Sequence, residues 1–211
     1  MVKELREMTG AGMMDCKKAL ESSGGNMEAA VDHLRKAGLK KVEKRAAKTA
    51  SEGIVFSYIH PGARVGVLLE LNSETDFVAR GADFAALAKD IAMHIAWSKP
   101  RYVRREEIPA AELEREREIY RSQLKSGQEK MADKIISGKL EKFYEEACLL
   151  EQFDARDPAA KKRIGDLVSD LSAKVGEKVV MRRFMRFEVG EGIEKQQADF
   201  SAEVASIAGN A

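Results

Sequence analysis

Apolar residues recur at helical spacing through residues 2 to 38 and predict three short helices. In "VKELREMTG", Val2, Leu5 and Met8 share one face, and Gly10 ends the run. In "MMDCKKALESSGG", Met13, Cys16, Lys17 and Leu20 lie along one side, with Gly24 and Gly25 as the stop. "NMEAAVDHLRKAG" opens on Asn26, a favourable N-cap, carries Met27, Ala30, Val31 and Leu34 on one stripe, and stops at Gly38. Residues 39 to 53, "LKKVEKRAAKTASEG", are basic and lack a wide apolar face, so they read as a linker with helical tendency. The period then changes. "GIVFSYIH" and "VGVLLELN" are β-branched and apolar, and "PGAR" between them supplies a turn, so residues 54–60 and 65–72 form a hairpin.

The next amphipathic run, from Asp83 to Trp97, places Phe84, Leu87, Ala88, Ile91 and Ile95 on one stripe. "KPRYV" is extended, and "PAAELEREREIYRSQLKSG" is a charged helix with Leu113, Ile119, Tyr120 and Leu124. "QEKMADKIISG" and "KLEKFYEEACLLEQF" predict two helices separated at Gly138, and Pro158 opens one more. "EKVVMRRFMRFEVGEG" alternates imperfectly and predicts the last strand, 177–189. A Gly-rich break at 190–192 precedes a short amphipathic tail helix. The pattern predicts an α+β fold: a helical domain at 1–39, a basic linker at 40–53, a core at 54–192 with helices on one side of an antiparallel sheet, and a tail at 193–211.

Composition changes this picture little. Of 211 residues, 44% are hydrophobic and 34% charged, and 36 basic residues face 35 acidic ones, so no general case for nucleic-acid binding arises. Residues 1 to 50 hold 11 basic and 7 acidic residues, a local net of +4. That excess leaves an RNA-binding reading through Lys40 to Lys48 open, beside the plainer reading of a solvated helix face. Cys16 and Cys148 stand far apart, which suits a reducing, cytoplasmic setting. No apolar run approaches the ~20 residues of a membrane span. The opening "MVKELREMTG" carries acidic residues, unlike a signal or transit peptide.

Catalytic chemistry finds no foothold, and no cofactor or metal is expected. "GAGMMDCK" lacks the ending of a phosphate loop and has no strand before it. His33, His60 and His94 are scattered without metal-ligand spacing, and Cys148 sits in an apolar context that raises a thiol's pKa. Binding remains, at two places. Met13 and Met14 are adjacent, so a narrow core stripe holds only one of them, and the other lies at its margin or in solvent. In "NSETDFVARG", Thr75, Asp76 or Asp83 could cap the following helix, and Phe77 either folds into the core or projects toward another molecule.

"KELREMTGAGMMDCKKAL" and "VLLELNSETDFVAR" resemble the two signature stretches of the elongation factor Ts family. "IPAAELEREREIY", "GKLEKFYEEACLLEQ" and "VGEKVVMRRFMRFEVGEGIE" resemble its later parts, so the resemblance spans nearly the whole chain. It implies a ubiquitin-associated-like N-terminal domain and a guanine-nucleotide exchange factor for elongation factor Tu that is not an enzyme. It implies that Thr75, Asp76, Phe77 and Val78 disturb the partner's Mg²⁺ site, with Phe77 wedged between helices of its GTPase domain. Arg6, Met13, Met14 and Lys17 would grip another helix, and Ile207 in the tail would add an apolar contact. The length resembles the compact members, which implies a homodimer joined through the core sheet. The residues alone leave an adaptor built on the N-terminal helices, or an RNA-binding protein, as alternatives.

Overall fold

A computed structural model describes residues 1–193 apart from 126, 129–130, 158 and 160–161. Its elements are α1 (Val2–Thr9), α2 (Met13–Ser22), α3 (Met27–Arg45), β1 (Glu52–Ile59), β2 (Val65–Ser73), α4 (Asp76–Ala79) and α5 (Ala82–Ser98), followed by α6 (Ala110–Ser122), α7 (Ala132–Ala147), α8 (Ile164–Val175) and β3 (Val180–Glu188). The fold is α+β, with an antiparallel sheet in the order β1-β2-β3.

One face of the sheet makes the main core. Val67, Leu69 and Leu71 of β2 and Met181 of β3 are buried against Phe84, Leu87, Ala88, Ile91 and Ile95 of α5 and Ile164, Val168 and Leu171 of α8. The helical stripe read from the sequence is therefore the face that meets the sheet. The imperfect alternation of β3 has a cause in the register. Glu70 pairs with Arg183, but Leu71 pairs with Met181, so a bulge inserts one residue into β3. Met181 and Phe184 both face the core as a result, while Arg182 and Arg183 both reach Glu70 on the other side, at 3.3 and 2.6 Å. A smaller cluster, Leu5, Cys16, Ala19, Leu20 and Ala30, holds α1, α2 and α3 together.

Three expected boundaries move. Helix α3 runs through Gly38 to Arg45, although a stop was expected there. A Cβ at Gly38 would lie 2.9 Å from the Cβ of Ala173, so this glycine lets α3 and α8 approach closely rather than ending a helix. Gly138 lies inside α7 because Ile136, Leu140 and Phe143 are buried along one continuous stripe across it. That packing outweighs the ~1 kcal/mol a helical glycine costs. Helix α8 begins at Ile164, where the backbone N–H of Arg163 donates to Asp166 Oδ2 at 3.0 Å; the expected start at Pro158 falls outside the described residues.

Smaller differences follow. Met8 was placed on the packed face of α1 but is 64% exposed, because the small cluster covers Leu5 and ends before the last turn. Asp83 caps nothing; α5 starts from Gly81, and Asp83 pairs with Lys174 at 2.8 Å. The extended "KPRYV" segment lies beside the end of α7, with Tyr102 bridging Cys148. Both cysteines are buried, and burial pushes the Cys148 thiol up to about 11. The tail helix expected within 193–211, with Ile207, lies outside the described residues from 194 onward.

Candidate partner-binding site

Strand β2 ends at Ser73, which is fully buried, and its hydroxyl donates to the carbonyl of Thr75 at 2.8 Å. The chain turns sharply there and enters the single turn of α4. Side chains of that turn divide by position: Val78 packs on the core and Ala79 is buried, whereas Phe77 is 83% exposed. Of the two fates that the sequence left open for this ring, the outward one holds. Gly81 closes the turn where a Cβ would sit 3.0 Å from the carbonyl of Val78.

The turn is held by charge from two directions. Glu177, just before β3, accepts the Thr75 N–H at 3.0 Å and the Thr75 hydroxyl at 2.8 Å. Thr75 therefore stands at the N-cap of α4 without capping it through its side chain. Glu74 accepts Arg45 Nη1 on both oxygens, at 2.8 and 2.7 Å, and the backbone N–H of Lys178 at 2.7 Å. The Lys178 N–H and then the Arg45 guanidinium hold the Glu74 carboxyl below the usual carboxylate range. The carboxylate of Asp76 pairs with Arg80 at 2.8 Å, one helical turn on.

The second group of expected residues lies on α1 and α2. Cys16, Ala19 and Leu20 fill the inner side of α2. Met13 and Lys17, which were expected on one side with Cys16 and Leu20, are exposed together with Met14 at the margin of that side. Met13 and Met14 are 51% and 64% exposed, so neither belongs to the core. Arg6 is exposed, and Lys17 makes a long pair with Glu21 at 3.8 Å. The structure thus gathers Thr75 to Val78 on one turn and Met13, Met14 and Lys17 on one helix face. The two groups stand on separate elements, joined through α3 by Arg45 and Glu74.

Sequence reasoning missed a third apolar surface. Val55 and Ile59 of β1, Leu68 of β2, and Met185 and Phe187 of β3 are all exposed. The register sets Ser57, Leu68 and Met185 in one row and Ile59, Gly66 and Phe187 in the next, on the sheet face away from α5. Strand alternation was the available signal, but it does not say which face the helices cover. Trp97, 78% exposed at the end of α5, was also missed; it falls off the stripe that defines that helix. Arg45 and Glu177 carried no local signal.

His94 was given no role and proves to be a buried structural group. Its Nδ1 accepts the Ala155 N–H at 3.4 Å, which leaves Nε2 as the protonated nitrogen, donating to Gln152 Oε1 at 2.8 Å. Burial lowers its pKa, opposed by Gln152 and Asp154. Among the described residues, no three His, Cys, Asp or Glu side chains are grouped to hold a metal ion, and no helix is long and apolar enough to cross a membrane.

Comparison with known proteins fits this arrangement. A family model described as "Elongation factor TS" matches residues 6–191. The elongation factor Ts of Desulforamulus reducens is 56% identical over 208 residues, covering 98% of this chain and 95% of that protein. That of Desulfitobacterium hafniense is 56% identical over 205 residues, 96% and 94% of the two chains. That of Geobacter sulfurreducens is 53% identical over 210 residues, 99% and 96%. With the family model covering most of the sequence and relatives more than half identical along nearly all of it, the chain belongs to the elongation factor Ts family of translation elongation factors.

Proposed function

We propose that this chain is a guanine-nucleotide exchange factor that binds elongation factor Tu in its GDP form, disturbs the Mg²⁺ and nucleotide site, and promotes GDP release in the cytoplasm. The observation that carries the reading is Phe77, an aromatic ring 83% exposed on a turn fixed from two sides by carboxylates. An exposed ring gains nothing for its own fold and has most to gain from a partner.

Exchange needs no reacting side chain, so the chain acts by contact and not as an enzyme. Contacts that form only when the nucleotide site is deformed weaken GDP binding, and by linkage GDP weakens them equally. A ~10⁴-fold weakening corresponds to about 5.5 kcal/mol of differential interaction. Burying one large apolar side chain supplies roughly 1.5–3 kcal/mol, so Phe77 needs other contacts beside it. Val78 braces the turn, and Thr75 fixes its entry. Asp76 reaches the partner's Mg²⁺ region only by leaving Arg80. Mg²⁺ keeps waters and few protein ligands, so displacement of one coordinating loop loosens it. Arg6, Met13, Met14 and Lys17 form the second grip, with thioethers that adapt to a helical surface. Ile207 in the tail adds a third contact.

The proposed organisation is a helical recognition domain at 1–39, a connection at 40–53, a core at 54–192 and a tail at 193–211. The outer sheet face, with Leu68, Met185 and Phe187, is proposed as the surface on which a second copy packs; a solution mass of one chain at micromolar concentration would remove that part. The exchange reading is tested by releasing fluorescent GDP from elongation factor Tu. Release accelerated by micromolar factor supports it, and release at the unassisted rate rejects it.

A further inference from the structure

The bonds that hold the Phe77 turn exceed what its packing requires. Val78 and Ala79 already anchor α4 to the core. Around them, residues 74–75 and 177–178 bond crosswise: Glu177 takes Thr75, and Glu74 takes the N–H of Lys178. Each partner is itself tied down. The Ser172 hydroxyl of α8 donates to the carbonyl of Glu177 at 2.5 Å. The Lys178 ammonium donates to the carbonyls of Ala46 and Lys48, at 2.6 and 2.8 Å, just beyond α3. Arg45, on the last turn of α3, grips Glu74 with two bonds. Two segments distant in sequence, 45–48 and 172–178, thus converge on residues 74–75, which launch α4.

We propose that Glu177 and Glu74 are positioning residues for nucleotide exchange. They hold Thr75 and α4 so that the Phe77 ring is already projected when the partner arrives, and Arg45 ties that pose to the N-terminal helices. The inference rests on the exchange function proposed above and adds the residues that set its geometry. Without these bonds the turn is held by Val78 and Ala79 alone, the ring samples a wider range of poses, and binding must then fix it at the expense of rate. Neither carboxylate needs to touch the partner; both act through Thr75 and Phe77. Glu74 is held below the usual carboxylate range by Lys178 and Arg45, so its charge persists at neutral pH.

The test measures GDP release from elongation factor Tu with the full chain and its Glu177→Gln, Phe77→Ala and doubly substituted forms. Glu177→Gln keeps the side chain's shape but leaves one acceptor oxygen where the two Thr75 donors use two. The expected result is a roughly tenfold slower maximal release with Glu177→Gln. No further slowing is expected when it is added to Phe77→Ala, since both act through one ring. Amide hydrogen exchange at Thr75 should also quicken while β1 and β2 keep their protection. If Phe77→Ala slows release but Glu177→Gln does not, or slows it equally in the Phe77→Ala background, the positioning role is overturned and the exchange function stands. If Phe77→Ala has no effect, the proposed wedge fails and this inference falls with it. Should Glu177→Gln not fold, Glu74→Gln decides by the same cycle.

Discussion

Two Asp–Phe dipeptides stand seven residues apart, at 76–77 and 83–84, each at the start of a helix, and the fold sends their rings in opposite directions. Phe84 is 1% exposed, beneath α5 against the sheet, and Phe77 is 83% exposed. Their aspartates match more closely: Asp76 pairs with Arg80 and Asp83 with Lys174, each at 2.8 Å. The same dipeptide is therefore buried in one helix and exposed in the other. Helix α5 is long enough to lay a full stripe on the sheet, so its phenylalanine is claimed by the core. Helix α4 has one turn; Val78 and Ala79 occupy its inner side and leave Phe77 outside. One ring is packed in the core, and the other is exposed, where the proposed function gives it to a partner.

The contrast is sharpened first on stability. Phe84→Ala should destabilise the chain by about 3–5 kcal/mol, and a fall in melting temperature of about 10 °C or more checks it. A change under about 2 °C would place that ring outside the core and erase the contrast. A second, smaller effect separates a fixed contact from an adaptable one. Met13→Ala with Met14→Ala should weaken affinity for elongation factor Tu about tenfold and leave the maximal release rate within about twofold, since flexible thioethers add grip without geometry. An equal loss in maximal rate would make this face part of the wedge.

The smallest effect concerns pH. Burial holds the His94 pKa below its ordinary value, so the folded state favours the neutral ring. The unfolded chain therefore takes up the proton first as pH falls. His94 contributes its full stability above about pH 6.5 and loses it as pH falls through the lower folded value. Gln152 and Asp154, which favour the charged form, and Arg156, which opposes it, set how far that loss is spread. Thermal melts at pH 7 and pH 5 should show a drop that shrinks in His94→Gln; an unchanged drop would assign it to other groups.

Much of the fold was legible because its signals are local. The apolar run "VGVLLELN" and the stripe from Phe84 to Ile95 are signals of burial carried by neighbouring residues. Glycine was misread where its reason lies across the fold: Gly38 exists for Ala173 on α8, and nothing near position 38 announces that partner. The start of α8 was hidden because Arg163 is no ordinary cap residue. For the site, adjacent methionines and the Asp76–Phe77 pair could be singled out, but the direction of Phe77 could not. The turn that carries the ring is tied by Glu177, 102 residues from Thr75, and by Arg45, 29 residues from Glu74. Charge clamps across such separations leave no periodicity.

The central claim is that Phe77 acts on a partner and not on its own fold. The direct measurement is Phe77→Ala, read at once by melting temperature and by GDP release from elongation factor Tu. An exposed ring contributes within about 0.5 kcal/mol to stability, so the melting temperature should move by no more than about 2 °C. Loss of roughly 1.5–3 kcal/mol of contact in the complex should slow release about 10- to 100-fold. Unchanged release, or a loss of stability like that of Phe84→Ala, would contradict the account.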